Sequence, residues 1–289
     1  MKLRLDCVVC IAKQALKAAR LASNDEGIQA RVLRESLRRL SEIEWAGTPP
    51  QLVRASGISD IILRITGITD PYKRLKEESN REALSLLPEI EELLNLSDDR
   101  LRTAVKLAIA GNIIDFAAVD KYDLRETINR VLTQNPKIDH YESLRNDLLQ
   151  AETVLYFADN AGEIVFDKVL LQEAIRVRGE PFKKITFVVK GGPIINDATM
   201  EDAIQVGLND LPNIEFLKVS SGREGTGPER NSPEVQSWIR NHDVVISKGQ
   251  GNYEDLSELD GIYFLLMVKC PVVAEDIGAE VGDIIILRK

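Results

Sequence analysis

The sequence is poor in the residues on which many active sites and disulfide-bonded folds depend. Its 289 residues include only three cysteines and two histidines, His140 and His242. A small and odd number of cysteines does not form a disulfide framework. Two histidines give little support to a histidine-dependent catalytic triad or to a zinc enzyme.

Long apolar segments and targeting signals are also missing from the sequence. No stretch approaches the roughly 20 apolar residues that a membrane-spanning helix needs. Residues 1–6 have neither the apolar core nor the cleavage pattern of a signal peptide. We therefore expect a cytoplasmic protein without a membrane partner.

Positive charge is in the minority. The 37 lysines and arginines are outnumbered by 46 aspartates and glutamates, so the net charge is −9. Nucleic acids and anionic membranes select basic surfaces, so neither is expected as the main partner. The remaining composition, 44% hydrophobic and 29% charged, is that of a globular protein with one large domain or two ordinary ones.

Residues 1–150 are predicted to form an all-helical domain. Apolar side chains recur at helical spacing over residues 7–19 and 28–40. Asp70 followed by Pro71 is typical of a helix start, and the helix that it opens is predicted to run to about residue 94. A nearly apolar helix is predicted over residues 104–119, and no strand pattern interrupts this half.

Residues 151–289 show short apolar segments that alternate with helical stretches. This alternation predicts βαβ units, and therefore an α/β fold with a mostly parallel sheet and helices on both faces. A helix is the alternative interpretation of the fifth segment, residues 262–268. The last strand, residues 283–287, is predicted at the edge of the sheet and follows a connection over residues 271–278. The predicted strands are 153–158, 184–189, 214–219, 243–247, 262–268 and 283–287, and the predicted helices are 164–178, 198–207 and 233–241.

Polar residues follow each of the first four predicted strands. In a parallel sheet the carboxyl ends of the strands share one edge, so these residues can line one pocket. They are, in chain order, Asp159, Asn160 and Glu163; a Lys-Gly-Gly-Pro turn with Asn196 and Asp197; the glycine-rich segment 220–227 with Ser221 and Thr226; and Lys248, Gly249 and Asn252.

Asp159 and Asn160 indicate a metal site. A phosphate held by backbone N–H groups requires glycine and lysine, whereas carboxylate and amide oxygens suit a hard divalent cation. The last two loops add a lysine and glycine-rich backbone, a combination suited to phosphoryl chemistry, in which several oxygens must be neutralised at once. In the alternative interpretation, Asp159 and Asn160 are turn residues, Asp197 caps the next helix and Lys248 is solvated.

Two polar residues interrupt the apolar helix predicted over 104–119. Asn112 and Asp115 are three residues apart and therefore lie on one face of that helix. Buried polar groups need partners. They either cap neighbouring backbone or close the pocket from the helical side, near the metal or the substrate.

The cysteines are a separate candidate site. Cys7 and Cys10 form a C-x-x-C pair at the start of the first predicted helix, and Cys270 is near the C-terminus. Such a pair can bind a second metal or take part in redox chemistry, although these three do not complete a four-cysteine zinc site. Alternatively, they are small buried residues that pack the first helix.

Four motifs resemble, in order and approximate spacing, those of the metal-dependent damage-control phosphatases, formerly called domain of unknown function eighty-nine. They are Gly-Asn-Ile-Ile-Asp at 111–115, Asp-Asn-Ala-Gly-Glu at 159–163, Asn-Asp-Ala-Thr at 196–199 and Lys-Gly-Gln-Gly-Asn-Tyr at 248–253. The C-x-x-C pair and Lys-Cys-Pro-Val at 269–272 resemble the short, stand-alone prokaryotic and archaeal branch.

The resemblance implies a Rossmann-like domain packed on a helical domain, and hydrolysis of small phosphorylated metabolites such as sugar phosphates or nucleotide-related compounds. It implies a divalent metal (Mn, Ni, Co or Mg) held by Asp159, Asn160 and Asp197. Lys248, Gly249, Asn252, Ser221 and Thr226 are then expected to contact substrate, with Asn112, Asp115 and Glu163 completing the pocket. Asp115 or Glu163 is the expected general acid or base, and Asp159 is a metal ligand that is also open to a role as covalent nucleophile.

Two other functions stay open at this point. One is an S-adenosylmethionine-dependent carboxyl methyltransferase, although the glycine-rich first loop of such enzymes is thin here, with Gly162 alone. The other is a non-catalytic module that binds a nucleotide or a metal. An Arg-Glu insertion at 223–224 bears on the choice of substrate. The physiological substrate, the preferred metal and the oligomeric state do not follow from the sequence.

Overall fold

The computed structural model describes residues 3–45, 57–111, 124–223 and 225–289. Its first half is helical. The helices there are α1 (Leu5–Ala22), α2 (Glu26–Ser41), α3 (Ile58–Thr66), α4 (Lys73–Ser85), α5 (Leu87–Asn95), α6 (Arg100–Gly111), α7 (Leu124–Thr133) and α8 (Tyr141–Gln150).

Local signals set several of these helix boundaries. The Asp25 carboxylate accepts hydrogen bonds from the N–H groups of Gly27 and Ile28 and so caps α2. The single helix predicted from Asp70 to about residue 94 is two helices, α4 and α5. Pro88 lies in the first turn of α5, where its missing N–H is tolerated, and it cannot extend the preceding helix.

The second half forms a seven-stranded sheet in the order β1-β7-β6-β5-β2-β3-β4. All neighbouring strands are parallel except β6 and β7. The strands are β1 (Ile138–Asp139), β2 (Thr153–Phe157), β3 (Lys184–Lys190), β4 (Ile214–Val219), β5 (Val244–Lys248), β6 (Ile262–Met267) and β7 (Ile284–Arg288). The helices between them are α9 (Glu163–Arg178), α10 (Met200–Gln205), α11 (Pro233–Arg240), α12 (Gly249–Leu256) and α13 (Pro271–Ile277).

Alternate residues of the strands face two separate apolar cores. In β2, Val154 and Tyr156 belong to the core that contains residues of α4 to α10. Leu155 and Phe157 belong to the core that α11, α12 and α13 cover on the other face. The predicted α/β class with helices on both faces of a mostly parallel sheet is therefore confirmed, and the first core joins the helical half to the sheet.

Two predictions about the sheet were wrong. The strand over 284–288 is not at the edge, because β1 pairs with it on its outer side. The strand β1 itself lies in the half that was predicted to be wholly helical. With two residues it is too short to show a periodicity in the sequence. The connection over residues 271–278 is largely the helix α13.

The strand order creates a crevice between β2 and β5. From β2 the chain moves outward through β3 and β4, and β5 then returns to pair with the other side of β2. In open α/β sheets, ligands bind at the carboxyl ends of the strands where the order reverses in this way. Among the described residues, no helix is long and apolar enough to cross a membrane.

Candidate active site

The loops that follow β2 and β3 are joined to each other by backbone hydrogen bonds. Ala161 N–H donates to Asn196 C=O at 2.9 Å, and Ala198 N–H donates to Asp159 C=O at 2.8 Å. These bonds form an antiparallel bridge between Asn160 and Asp197. The structure therefore brings together the three residues expected to hold a metal, Asp159, Asn160 and Asp197.

The alternative role for Asp197 as a helix cap is wrong. The residue that caps α10 is Thr199, whose side chain and backbone form a capping box with Asp202. Asp197 precedes that cap by two residues and lines the pocket beside Asp159. Its side chain is thus available to the pocket.

The start of α12 lies directly against the acidic loop. Gly249 has a φ of +76°. A Cβ atom at this position would lie 1.8 Å from Asp159 Oδ2. Glycine is therefore required here both by the backbone conformation and by the approach of the carboxylate.

Asp159 lies in an environment that disfavours its negative charge. Burial of the carboxyl group, together with the charges of Glu163 and Asp197, raises the pKa of Asp159 to about 7. Lys269 and Arg230 act in the opposite direction. A cation bound between Asp159 and Asp197 would relieve this repulsion.

Two buried cationic side chains border the acidic pair. Arg230 lies 3.4 Å and Lys190 lies 3.6 Å from Asp197 Oδ2. Arg230 also contacts Asp255 at 2.9 Å. Both cations line a pocket with Asp159, Asp197 and Ser221. The pocket thus combines carboxylates with cations and loop backbone.

Neither cation was assigned a role from the sequence, although Lys190 begins the Lys-Gly-Gly-Pro turn. Lys190 is the last residue of β3, as Lys248 is the last residue of β5, so a lysine at a strand end was a usable signal. Arg230 lies in the connection before α11, where no local pattern distinguishes it from other charged residues. Arg230 lies beside Asp197 because of the path that the segment between β4 and α11 takes in the folded chain.

Lys248 is fully buried behind the acidic loop. Its ammonium donates to Glu163 Oε1 at 2.6 Å, to Asp167 Oδ1 at 2.7 Å and to Ala108 C=O at 2.8 Å. An ammonium has three protons, so these three acceptors use all of them. Burial disfavours the charge, but the carboxylates of Asp167 and Glu163 outweigh that effect and raise the pKa of Lys248 to about 12.

Glu163 and Asn160 connect this buried lysine to Asp159. The Asn160 amide donates to Asp159 Oδ2 at 2.9 Å and to Glu163 Oε2 at 3.2 Å. Glu163 accepts on its other oxygen from Lys248. A continuous chain of polar contacts therefore runs from the lysine to the Asp159 carboxylate.

The remaining residues expected to contact substrate shape the loops around the pocket. Asn252 donates to the C=O groups of Ala158 and Lys248 at 2.9 and 2.7 Å, and so joins the ends of β2 and β5. The Ser221 N–H and hydroxyl contact the Thr226 hydroxyl at 3.1 and 3.2 Å. Ser221 lines the pocket, whereas Thr226 holds the turn behind it.

Asn112 and Asp115 lie outside the described residues. The helix α6 that leads to them ends at Gly111. A Cβ atom at Gly111 would be 2.9 Å from the Phe166 ring and 3.3 Å from Glu163 Cα. The last described residue of α6 therefore packs directly on the start of α9, next to Glu163.

The three cysteines line one cleft although 260 residues separate Cys10 from Cys270 in the sequence. Cys7, Cys10 and Cys270 border a cavity that Asp159 and Asp197 also line. Cys10 is exposed and the other two are partly exposed. The interpretation that they are small residues packing the first helix is wrong for the exposed Cys10, whereas Cys7 is partly buried and packs against the core of Leu3, Ile11 and Leu40.

The acidic loops fit a divalent cation that keeps part of its water shell. Within the described ranges, no three His, Cys, Asp or Glu side chains are arranged so that they could hold a metal ion. Asp159, Asp197 and Asn160 offer two carboxylates and one amide. Hard cations such as Mg²⁺ bind through one or two carboxylates and complete their coordination with water and substrate oxygens.

Comparisons with known proteins match this chain over nearly its whole length. The model of the damage-control phosphatase ARMT1-like domain matches residues 4–285. An uncharacterized protein of Methanocaldococcus jannaschii is 35% identical, with 100% of this chain and 96% of the relative covered. A damage-control phosphatase of Archaeoglobus fulgidus is also 35% identical, with coverage of 99% and 98%.

A solved structure gives the same result for the fold. The crystal structure of a DUF89 family protein from Pyrococcus horikoshii superposes with a TM-score of 0.83 at 31% sequence identity. The alignment covers 100% of this chain and 99% of that one. A damage-control phosphatase from the same organism is 32% identical over 100% of this chain and 98% of its own length.

Proposed function

Because this chain belongs to the damage-control phosphatase ARMT1-like family, we propose that it is a divalent-metal-dependent phosphatase of small phosphorylated metabolites. One observation carries the proposal furthest. At the crevice between β2 and β5, the carboxylates of Asp159 and Asp197 and two buried cations line a single pocket, to which Glu229 and Asp255 also contribute. Carboxylates that suit a metal, next to cations that suit a phosphate, are the combination that phosphoryl transfer requires.

Asp159, Asn160 and Asp197 are the residues that would hold the metal. When bound, a divalent ion polarises a phosphoryl oxygen and lowers the pKa of a coordinated water. The bridge between the two loops fixes the distance between Asp159 and Asp197 through backbone bonds, so binding does not require the loops to be assembled first. Manganese, nickel, cobalt and magnesium are the ions to compare.

Lys190 and Arg230 are proposed to bind the phosphoryl oxygens that face away from the metal. Both are more than nine-tenths buried, and an ion pair with phosphate is stronger in such a site than in water. Arg230 can bind two oxygens through its planar guanidinium. Ser221 and the backbone at Gly249 complete the ring of substrate contacts.

Lys248 is proposed to position Glu163 rather than to contact phosphate. All three of its protons are used by buried acceptors, so contact with substrate would require it to abandon at least one of them. Through Glu163 it fixes the Asn160 amide, which in turn holds Asp159 Oδ2. Asp115 stays the candidate for general acid or base.

The test measures phosphate release after metal removal and replacement. The protein is treated with chelator and then supplied in turn with Mn²⁺, Ni²⁺, Co²⁺ and Mg²⁺, with p-nitrophenyl phosphate, sugar phosphates and nucleotides as substrates. We expect metal to restore turnover, and we expect Asp159→Asn to lower it by about 100-fold. Asp260→Asn, on an exposed turn before β6, is the matched control and should have wild-type activity.

Two outcomes would contradict the proposal. Full activity of Asp159→Asn would remove this carboxylate from the reaction. No turnover of any phosphate ester with any of the four metals, combined with tight binding of S-adenosylmethionine, would favour a methyltransferase instead.

A further inference from the structure

One side chain from the helical half bonds both to the loop after β2 and to α10, the helix that follows the loop after β3. We infer that Asn80 of α4 is a positioning residue for this site. The inference rests on the proposed function, because it assigns Asn80 a role in the geometry of the loops that would hold the metal. Asn80 is fully buried and lies outside all four of the sequence motifs described above.

The first contact of Asn80 is with the loop after β2. Its Oδ1 accepts a hydrogen bond from Gly162 N–H at 2.6 Å, across 82 residues of sequence. Gly162 has a φ of +78° and lies between Asp159 and Glu163. Without this acceptor, the buried Gly162 N–H would have no partner among the described residues, which disfavours the turn that presents Asp159.

The second contact of Asn80 is with α10, the helix that follows the loop after β3. Its Nδ2 donates to Asp202 Oδ1 at 3.1 Å and to Gln205 Oε1 at 2.7 Å. The other oxygen of Asp202 accepts from the N–H and the hydroxyl of Thr199 at 2.9 and 2.6 Å. Thr199 follows Asp197 by two residues, so the amide of Asn80 is connected to both acidic loops.

Lys76 stabilises the carboxylate on which this arrangement depends. Its ammonium lies 3.3 Å from Asp202 Oδ2 and 3.0 Å from Asp70 Oδ2. Lys76 precedes Asn80 by one helical turn and therefore lies on the same face of α4. Asp202 is nearly fully buried, and a buried carboxylate without a counter-charge is costly, so Lys76 supplies the partner that this position requires.

The amide of Asn80 makes both contacts at once, which neither a carboxylate nor an apolar side chain can do. The position must accept from a backbone N–H and donate to a carboxylate at the same time. A carboxylate at position 80 could accept from Gly162 but would face Asp202 as a buried like charge. An apolar side chain of the same size could make neither contact.

This requirement allows the hydrogen-bond pattern to be broken and restored. Asn80→Asp should weaken Mn²⁺ binding by about tenfold or more, because the new carboxylate repels the buried Asp202 and disturbs the turn at Gly162 that presents Asp159. Asn80→Asp combined with Asp202→Asn should recover most of the affinity. In that variant the new carboxylate accepts from both Gly162 and the new amide, whose oxygen still accepts from Thr199.

The experiment measures Mn²⁺ binding directly, from the electron paramagnetic resonance signal of the free ion in the absence of substrate. Phosphate release and the thermal midpoint of the metal-free protein are measured on the same samples. Asn209→Asp, an exposed substitution of the same type near α10, is the control and should bind Mn²⁺ like the wild type. The single Asn80 variant is measured below its own unfolding transition, so a loss of affinity is not a loss of fold.

The outcomes separate this inference from the proposed function. Unchanged Mn²⁺ affinity in Asn80→Asp, or a double variant no better than the single one, would overturn the positioning role even if the wild type is an active phosphatase. A wild type that binds Mn²⁺ without hydrolysing any phosphate ester would overturn the proposed function, and the recovery in the double variant would still establish the role of Asn80.

Discussion

At the scale of single residues, the site depends on how closely Gly249 approaches Asp159. Glycine at this position combines a left-handed backbone with the absence of a Cβ atom, and each feature has its own effect on a substitution. A φ of +76° disfavours any side chain, by about 1–2 kcal/mol for alanine. The overlap of a Cβ atom with Asp159 Oδ2 would add a displacement of the carboxylate itself.

Gly249→Ala should therefore abolish metal-dependent phosphate release, because the Asp159 carboxylate must move away from the place where it faces Asp197. Steady-state kinetics across a range of Mn²⁺ concentrations is the measurement. We expect a fall in activity of about 100-fold.

Gly261→Ala is the matched control for that variant. Gly261 has a φ of +79°, and no described atom lies within 4 Å of the place where its Cβ would be. It should lower the thermal midpoint by a similar backbone effect and leave activity intact. Equal losses of activity in the two variants would show that backbone strain, and not contact with Asp159, is the cause.

At the scale of secondary structure elements, the two strands that flank the crevice are fixed at both ends. At their carboxyl ends, Asn252 joins them through the C=O groups of Ala158 and Lys248. At their amino ends, the Asp243 carboxylate accepts from the N–H groups of Glu152 and Thr153, each at 2.9 Å. The register of β2 against β5, on which the position of Asp159 depends, is thus held on both sides.

The amino-terminal contact predicts how stability depends on pH. Burial opposes the shift, but the hydrogen bonds from Glu152 and Thr153 outweigh it and lower the pKa of Asp243. Because this pKa is lower in the folded than in the unfolded chain, the carboxylate stabilises the fold above the unfolded-state value, near 4. That contribution is lost as the pH falls through the folded-state pKa.

Asp243→Asn should accordingly lower the free energy of unfolding at pH 7 by about 1 kcal/mol, a modest effect because the carboxylate is exposed and screened by solvent. The difference from wild type should shrink as the pH is lowered below about 4. Urea unfolding at several pH values measures this. A difference that stays constant with pH would exclude the charge of Asp243 as its origin.

At the scale of the whole molecule, one buried ammonium joins three parts of the fold. Lys248 ends β5, contacts Glu163 and Asp167 of α9, and donates to the backbone of Ala108 in α6. Tyr156 of β2 adds a hydrogen bond to Asp167 at 2.7 Å. The helical half, the helix α9 and the central strands β2 and β5 therefore meet at the Lys248 ammonium.

Lys248→Met is expected to lower the free energy of unfolding by about 3–5 kcal/mol, because it leaves two carboxyl groups buried without their counter-charge. A lysine that only contacts substrate would not have this effect. Adding Glu163→Gln and Asp167→Asn should recover part of the stability, but not the activity. Urea unfolding of the metal-free proteins measures these differences.

Lys190→Met tests the contrast within the same pocket. Lys190 is proposed to bind the phosphoryl group, so its removal should raise KM and lower kcat with a smaller change in stability than Lys248→Met. The opposite result would be a Lys248→Met variant that keeps its free energy of unfolding and has a raised KM. Lys248 would then be the phosphate ligand.

The sequence by itself determined the two kinds of secondary structure and most of the residues at the sheet edge. Hydrophobic periodicity and helix-start signals are local, so they separated a helical half from strands that alternate with helices. Residue type was sufficient to select Asp159, Asn160 and Asp197 as oxygen donors, because the loops after parallel strands share one edge whatever the strand order is.

The tertiary structure alone decided the strand order and the direction in which each polar side chain points. The crevice between β2 and β5 follows from that order, and it turns Lys248 inward to acceptors that are 81, 85 and 140 residues away in sequence. Arg230 and Asn80 reach the acidic loops across 33 and 82 residues of sequence. No local pattern records such contacts, because they depend on the packing of elements that are distant in the chain.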